Sequence, residues 1–266
     1  MIRRNGPPVK SPETGELVKD KKCATVVVLR PRSTDFSYII RHRAESVRRY
    51  PLFSEVPLED CERIVASALE RRYQRGKTLF FEGDPIRQVI LLISGCAKLT
   101  QHGQQDGQDV ILRLVGPGEA PCVECGPKHT HCATAHTTEP AAALVWEASQ
   151  FETLRKRFPG FSQNIGCVIL HNLRELEVRF REICTEKVAP RLSRELLRLL
   201  SKFGKETDGH MEIALSGQDL AKLTGMNLCT VSRLLSDWER QGIVRRRRRG
   251  VQVLNVQALV TMSENG

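Results

Sequence analysis

At 266 residues with 40% apolar content, the chain has room for two ordinary domains with real cores, which excludes a disordered protein. Its net charge of +10 is carried by the ends, since residues 190–266 hold 13 Lys and Arg against 8 Asp and Glu while residues 51–189 hold 16 against 18; a polyanion partner is expected for the C-terminal end and a sensing or oligomerising role for the middle. No stretch approaches the ~18 uninterrupted apolar residues of a membrane span or shows a signal-peptide core, so a cytoplasmic protein without membrane contact is predicted.

Residues 1–49 read as a mobile basic tail, with one strand over Ala24–Leu29 and a short basic helix over Ser37–Arg49. Pro57 then opens a helix running to Arg72, with Cys61, Ile64, Val65, Ala68 and Leu69 as its apolar stripe. Beyond it the period shortens. Thr78–Phe81, Val89–Ile93, Ala97–Thr100 and Val110–Val115 are separated by glycine turns, and Ala143–Trp146 adds one more strand. Strands spaced in this way predict a β-roll over residues 50–159.

A long helix follows over residues 160–189, in which Ile165, Ile169, Asn172, Leu176, Arg179 and Ile183 recur at alternating spacings of four and three. This is the pattern of a coiled-coil seam with two polar positions, and it predicts a parallel homodimer. Ala189-Pro190 breaks the helix and opens the last unit, residues 190–266. Its first helix, Arg191–Phe203, turns Leu192, Leu196, Leu199 and Leu200 inward.

The stretch from Ser216 to Arg249 describes a helix, a glycine turn and a second helix. Ser216 is an N-cap answered by Asp219, Leu220, Ala221 and Leu223 are apolar, and Gly225 ends the helix. After Asn227 a single buried stripe of Val231, Leu234, Leu235 and Trp238 leaves Cys229, Ser232, Arg233 and Ser236 on the opposite face. Short polar residues around one arginine suit a helix lying in a DNA major groove. Ile243-Val244 and Val251–Leu254 then read as two short strands around Arg245, Arg246, Arg247, Arg248 and Arg249, which form a solvated or phosphate-bound tip because five adjacent cations cannot pack as a strand. Together these predict an α+β chain ending in a winged helix-turn-helix that binds double-stranded DNA, and no enzyme.

Leu220–Gly225 and Thr230-Val231-Ser232-Arg233-Leu234-Leu235 resemble the Crp/Fnr family of bacterial transcription regulators, as do Phe80–Pro85, Leu91–Gly95 and Val110–Glu119. The resemblance covers roughly residues 50–262. It implies a cyclic-nucleotide-binding-like roll, a dimer reading a palindromic operator, and RNA polymerase as a further partner. It also implies that Arg233 contacts guanine, that Ser232 tunes base choice, and that Thr230 belongs to the same DNA-facing motif. Cys229 departs from the family's glutamate, and a thiol is a weaker acceptor for a cytosine amino group. The phosphate cradle departs too: after Gly118 only Glu124 is placed to meet a ribose, and His131 or Cys132 falls where an arginine would neutralise the phosphate. A cyclic nucleotide is therefore the runner-up signal.

Cys122, Cys125, His129, His131, Cys132 and His136 crowd into one short segment. Cys-x2-Cys lets two thiolates reach one metal, with Cys132 closing the site. Strand alternation puts Cys132 and His136 on one face and His131 on the other, making His136 the fourth ligand and His129 the substitute. An iron–sulfur or zinc centre is the leading reading, with iron preferred because a regulator needs a centre that changes. A thiol switch between Cys122 and Cys125, inert thiols, and a dithiol oxidoreductase using the same pair are the other readings. The oxidoreductase is disfavoured because Gly126-Pro127 stands where such an enzyme needs a helix.

Overall fold

The computed structural model describes residues 16–20, 23–28, 36–103, 109–123 and 129–264. Strands β1 (Glu16–Asp20) and β2 (Cys23–Val28) form an antiparallel hairpin, where the sequence suggested one strand in a tail. Helices α1 (Phe36–Val47) and α2 (Leu58–Ala66) precede β3 (Leu69–Tyr73), β4 (Thr78–Phe80), β5 (Gln88–Ser94), β6 (Ala97–His102) and β7 (Asp109–Val115). Strands β8 (Thr134–Thr137) and β9 (Ala141–Glu147) complete the roll as two facing sheets, ordered β3-β9-β5 and β4-β8-β6-β7. The helix expected to reach Arg72 stops at Ala66. Leu69–Tyr73 pairs instead with Ala141–Val145 of β9, so ladder bonds override the helix propensity of Leu-Glu-Arg-Arg.

β5 explains how the roll is filled, because burial on both of its faces lets alternate residues serve two cores. Ile90 and Leu92 face Val115, Ala135 and Val145 between the sheets. Val89 and Leu91 face outward onto a second core with Ile64, Leu144, Trp146, Phe151 and Phe161. Within that core Phe161 sits 5.5 Å from Phe151 and 5.4 Å from Phe53 between ring centroids, and the Trp146 indole donates to the Ile64 carbonyl at 3.0 Å. Helix α3 (Ala148–Arg157) and the start of α4 (Pro159–Thr185) are anchored there.

α4 differs from its predicted seam at three positions. Ile165 is buried in its own chain's core, Arg179 donates to the Leu112 carbonyl at 3.1 Å and reaches Glu195 at 3.4 Å, and Asn172 borders a cavity on the roll side. The outward row is Ile169, partly buried against the roll-side core, followed by Leu173, Leu176, Phe180 and Ile183, with Leu173, Leu176 and Phe180 exposed by 49%, 50% and 68%. This row keeps the four-three spacing and is wholly apolar. Shifting two members by one residue moves them about 100° round the helix, away from the surface that holds α4 on the roll.

The C-terminal unit comprises α5 (Val188–Phe203), β10 (Lys205–Thr207), β11 (His210–Ile213), α6 (Gly217–Thr224), α7 (Leu228–Arg240), β12 (Val244–Arg247), β13 (Gly250–Val253) and α8 (Val256–Glu264). Its core includes Leu192, Leu196, Leu220, Val231, Leu235 and Trp238, and it is continuous with Cys96, Ile111 and Leu114 of the roll. Burial there pushes the Cys96 thiol up to about 11, so this cysteine is an inert packing group.

Ion pairs surround the apolar contact: Lys98 to Asp219 at 2.6 Å, Lys222 to Asp109 at 3.1 Å and Lys202 to Glu119 at 2.7 Å. Burial raises the Asp219 carboxyl most, yet the hydrogen bonds from Lys98 and Ser216 together outweigh it and leave the group below its usual range. A depressed carboxylate adds stability above its unfolded pKa and loses it as pH falls through the folded value. A double-mutant cycle with Lys98→Met and Asp219→Asn, read by chemical denaturation, should give a coupling of about 1 kcal/mol at neutral pH. The coupling should start to fall as pH drops below about 4 and disappear only once pH has passed below the depressed folded value.

Candidate nucleic-acid interface

The helix-turn-helix is built by local chemistry. Ser216 Oγ accepts from the Asp219 amide at 3.1 Å, capping α6, and Asn227 Oδ1 accepts from the Thr230 amide at 2.7 Å, capping α7. Between them Gly225 adopts a left-handed φ of 65°, which a side chain would strain. Val231, Leu235 and Trp238 are buried, while Cys229, Ser232 and Arg233 are exposed and Thr230 and Ser236 half-buried. Ser236 Oγ donates to the Ser232 carbonyl at 2.7 Å, which keeps that part of the outer face low. Among the described residues Arg233 has no side-chain partner, so its guanidinium fork is available to a base edge.

The wing differs from the predicted loose tip. Arg245, Arg246 and Arg247 belong to β12, an edge strand paired with β13, and cations occupy both faces because each finds a partner. Glu239 of α7 accepts from the Arg246 amide at 2.8 Å and from its Nε at 2.9 Å, and these bonds hold the Glu239 carboxyl below its usual range. Arg245 and Arg247 donate to Gln252 Oε1 at 3.5 and 3.1 Å. Only Arg248 and Arg249 form the turn, exposed and without a side-chain partner among the described residues. The wing is thereby tied to the recognition helix through Arg246, and its tip presents two cations to phosphate.

In the roll, Cys132 is exposed, His136 half-buried and His131 buried, but β8 begins only at Thr134, so His131 and Cys132 lie before the strand whose alternation was expected to place them. His136 Nδ1 is 3.0 Å from Thr78 Oγ1, and burial, then the charge of Lys98, lowers its pKa. His129 is exposed, and Cys122 is half-buried against the aromatic core. Glu124 and Cys125 lie outside the described residues, and among the described residues no three His, Cys, Asp or Glu side chains gather to hold a metal ion.

His131 is buried and packed within the roll. It stacks on Phe80 with centroids 3.6 Å apart and planes at 7°, its Nδ1 has no partner, and burial lowers its pKa. A neutral, packed imidazole cannot act as a phosphate-binding cation.

The comparisons agree with this geometry. The profile of the Crp-like helix-turn-helix domain matches residues 190–262, and that of the cyclic nucleotide-binding domain matches residues 70–158. The CRP-like cAMP-activated global transcriptional regulator of Mycobacterium tuberculosis is 27% identical over 179 residues, covering 65% of this chain and 78% of that protein. The transcriptional activator FnrL of Cereibacter sphaeroides is 26% identical over 216 residues, covering 77% and 81%. FixK2 from Bradyrhizobium japonicum shares the fold, with a TM-score of 0.64 at 23% identity over 73% of this chain and 96% of that one. Roll, long helix and winged head define a DNA-binding transcription regulator with a sensory domain. The chain belongs to the Crp/Fnr family.

Two binding measurements follow from the partners found. Arg233→Ala should lose about 1–3 kcal/mol on a selected DNA site and little on random duplex. Arg248→Gln with Arg249→Gln should weaken both alike and lower the salt slope by about 2.

Proposed function

We propose that the protein is a homodimer that binds a two-fold DNA site through Arg233 and its neighbours and regulates transcription there. The observation that carries this reading is the wholly apolar four-three row on α4, directly preceding a head whose reading face is open. Exposed Leu173, Leu176 and Phe180 need a partner, and a second copy of the same helix offers a self-complementary one. Ile183, at the end of the row, also touches the helix-turn-helix: a Cβ at Gly225 would lie 3.7 Å from its Cδ1. Helix pairing can therefore influence the seating of the head. RNA polymerase is the partner this role requires at a promoter.

Arg233, Ser232, Thr230, Cys229 and Ser236 face base edges in this reading, while Arg248 and Arg249 meet backbone phosphate. Cys229 cannot reproduce a carboxylate acceptor, so the preferred site should differ from that of family members with glutamate at this place. Cyclic nucleotide stays the runner-up signal in this reading, since His131, which the family resemblance sets near the place of a phosphate-binding arginine, is an imidazole packed on Phe80.

A second input reading rests on the exposure of Cys132, just before β8, and the partial exposure of His136 within it. With Nδ1 at Thr78, His136 offers Nε2, and its lowered pKa favours the neutral, ligating form. Cys122, Cys125 and Cys132 would complete the donor set for iron or zinc. Stoichiometric metal in anaerobically purified protein, lost in Cys132→Ser, would establish it.

Leu173→Asp with Phe180→Asp should sediment as a monomer and lose about 10²–10⁴-fold in affinity for a two-fold site. A dimer that survives both changes would place the interface elsewhere. Cyclic AMP should leave DNA affinity unchanged, and a saturable increase on its addition would overturn the assignment of His131.

A further inference from the structure

Five adjacent arginines would grip any duplex, because each cation that meets a phosphate adds affinity whatever the base sequence, with a salt slope of about 0.9 per contact. Recognition depends on the ratio between a chosen site and the many competing ones, so uniform affinity of this kind works against the base contact of Arg233. The wing, however, treats its arginines unequally.

Arg248 and Arg249 are exposed in the turn without a side-chain partner among the described residues. Arg245 and Arg247 share Oε1 of the buried Gln252, a neutral acceptor that leaves their charge in place. Asp208, 3.7 Å from Arg247, is 76% exposed and adds little. Arg246 is held differently. Glu239, in the last turn of α7, uses both carboxylate oxygens on this one residue: Oε1 takes the Arg246 amide at 2.8 Å and Oε2 takes its Nε at 2.9 Å. The first bond fixes the course of β12, and the second sets a matched negative charge against the guanidinium. The amide bond and then the guanidinium keep the Glu239 carboxyl ionised at neutral pH.

We propose that Glu239 is a specificity-determining residue, which withholds Arg246 from backbone phosphate and so keeps the wing from gripping DNA of any sequence. The inference rests on the DNA-binding reading and adds to it a residue that acts against binding, where Arg233, Arg248 and Arg249 act for it. Phosphate can take Arg246 only in exchange for the Glu239 contact, so a contact at this position adds little net affinity.

Glu239→Gln separates the two bonds. Its side-chain carbonyl still accepts from the Arg246 amide, while its amide nitrogen cannot accept from Nε, so the strand stays and the cation is released. Affinity of the full chain is measured on a random-sequence duplex and on a library-selected duplex over a range of salt concentrations. Glu239→Gln should tighten random binding about fivefold or more at about 0.1 M salt and steepen its salt slope by about 1 for each head. Affinity for the selected duplex should rise less, so that the ratio of the two falls about threefold or more. Arg246→Gln should leave random binding and its slope unchanged, since a withheld cation has no phosphate contact to lose. Combined with Glu239→Gln it should return both to their wild-type values. Glu206→Gln on β10 removes the same charge from the same unit without releasing an arginine, and should change neither by more than about twofold.

Loss of random affinity in Arg246→Gln would overturn the inference. So would unchanged random binding, or an unchanged ratio, in a Glu239→Gln protein whose circular dichroism matches wild type, and so would an equal rise in Glu206→Gln. Should Glu239→Gln fail to fold, Arg246→Gln alone decides, because it leaves Glu239 in place. Failure of wild type to select any duplex removes the DNA-binding reading itself, whereas selection with the same ratio in Glu239→Gln removes only the role of Glu239.

Discussion

The joint between α4 and α5 is held by a buried ionic cluster, and the placement of the DNA head depends on it. Glu182, only 3% exposed, accepts from Arg198 and faces Arg194, while Glu195 takes Arg198 at 2.9 Å and Arg179 at 3.4 Å. Arg191 adds hydrogen bonds to the Ile183 and Glu186 carbonyls at 2.9 and 3.4 Å, satisfying groups at the end of α4. A buried charge must keep its partners or suffer the full desolvation cost, so this cluster specifies one angle between the helices where an apolar contact would tolerate several.

From this joint the contacts spread in two directions. Arg179 reaches back to the Leu112 carbonyl of β7, and Lys98, Asp109 and Glu119 of the roll hold α6 and α5. Apolar surface follows the same path, since Ile111 and Leu114 belong to the core that also contains Val231 and Trp238. The head and roll therefore share packing as well as charge. A change in α4 is transmitted through groups already in contact, with Ile183 against the helix-turn-helix glycine as the shortest route.

The positive charge of the C-terminal unit is also less uniform than its composition suggests. Arg191, Arg194 and Arg198 serve the joint, and Arg246 fastens the wing to Glu239. Arg233 and the two turn arginines have no side-chain partner among the described residues, so a small fraction of the basic residues is left uncommitted within the chain.

Local rules in the sequence were enough to determine the helix-turn-helix: the caps at Ser216 and Asn227, the left-handed glycine and the stripe of Val231, Leu235 and Trp238 involve residues a few positions apart. The roll was legible as spaced strands for the same reason. The hairpin between β10 and β11 carried a readable signal that was missed, because Asp208-Gly209 have the positive φ angles of 52° and 74° that suit a tight turn. Tertiary structure alone decided the rest. Leu69–Tyr73 became a strand because β9 lay beside it, and Arg245–Arg247 could extend because Glu239 and Gln252 received them. Asn172 and Arg179 fit the heptad spacing as well as Leu173 and Phe180 do, and only packing of the roll against one side of α4 separates the two rows. Likewise, no spacing rule brings Arg113, Arg179 and Lys202 to the cavity that Asn172 borders, since that juxtaposition exists only after β7, α4 and α5 have packed.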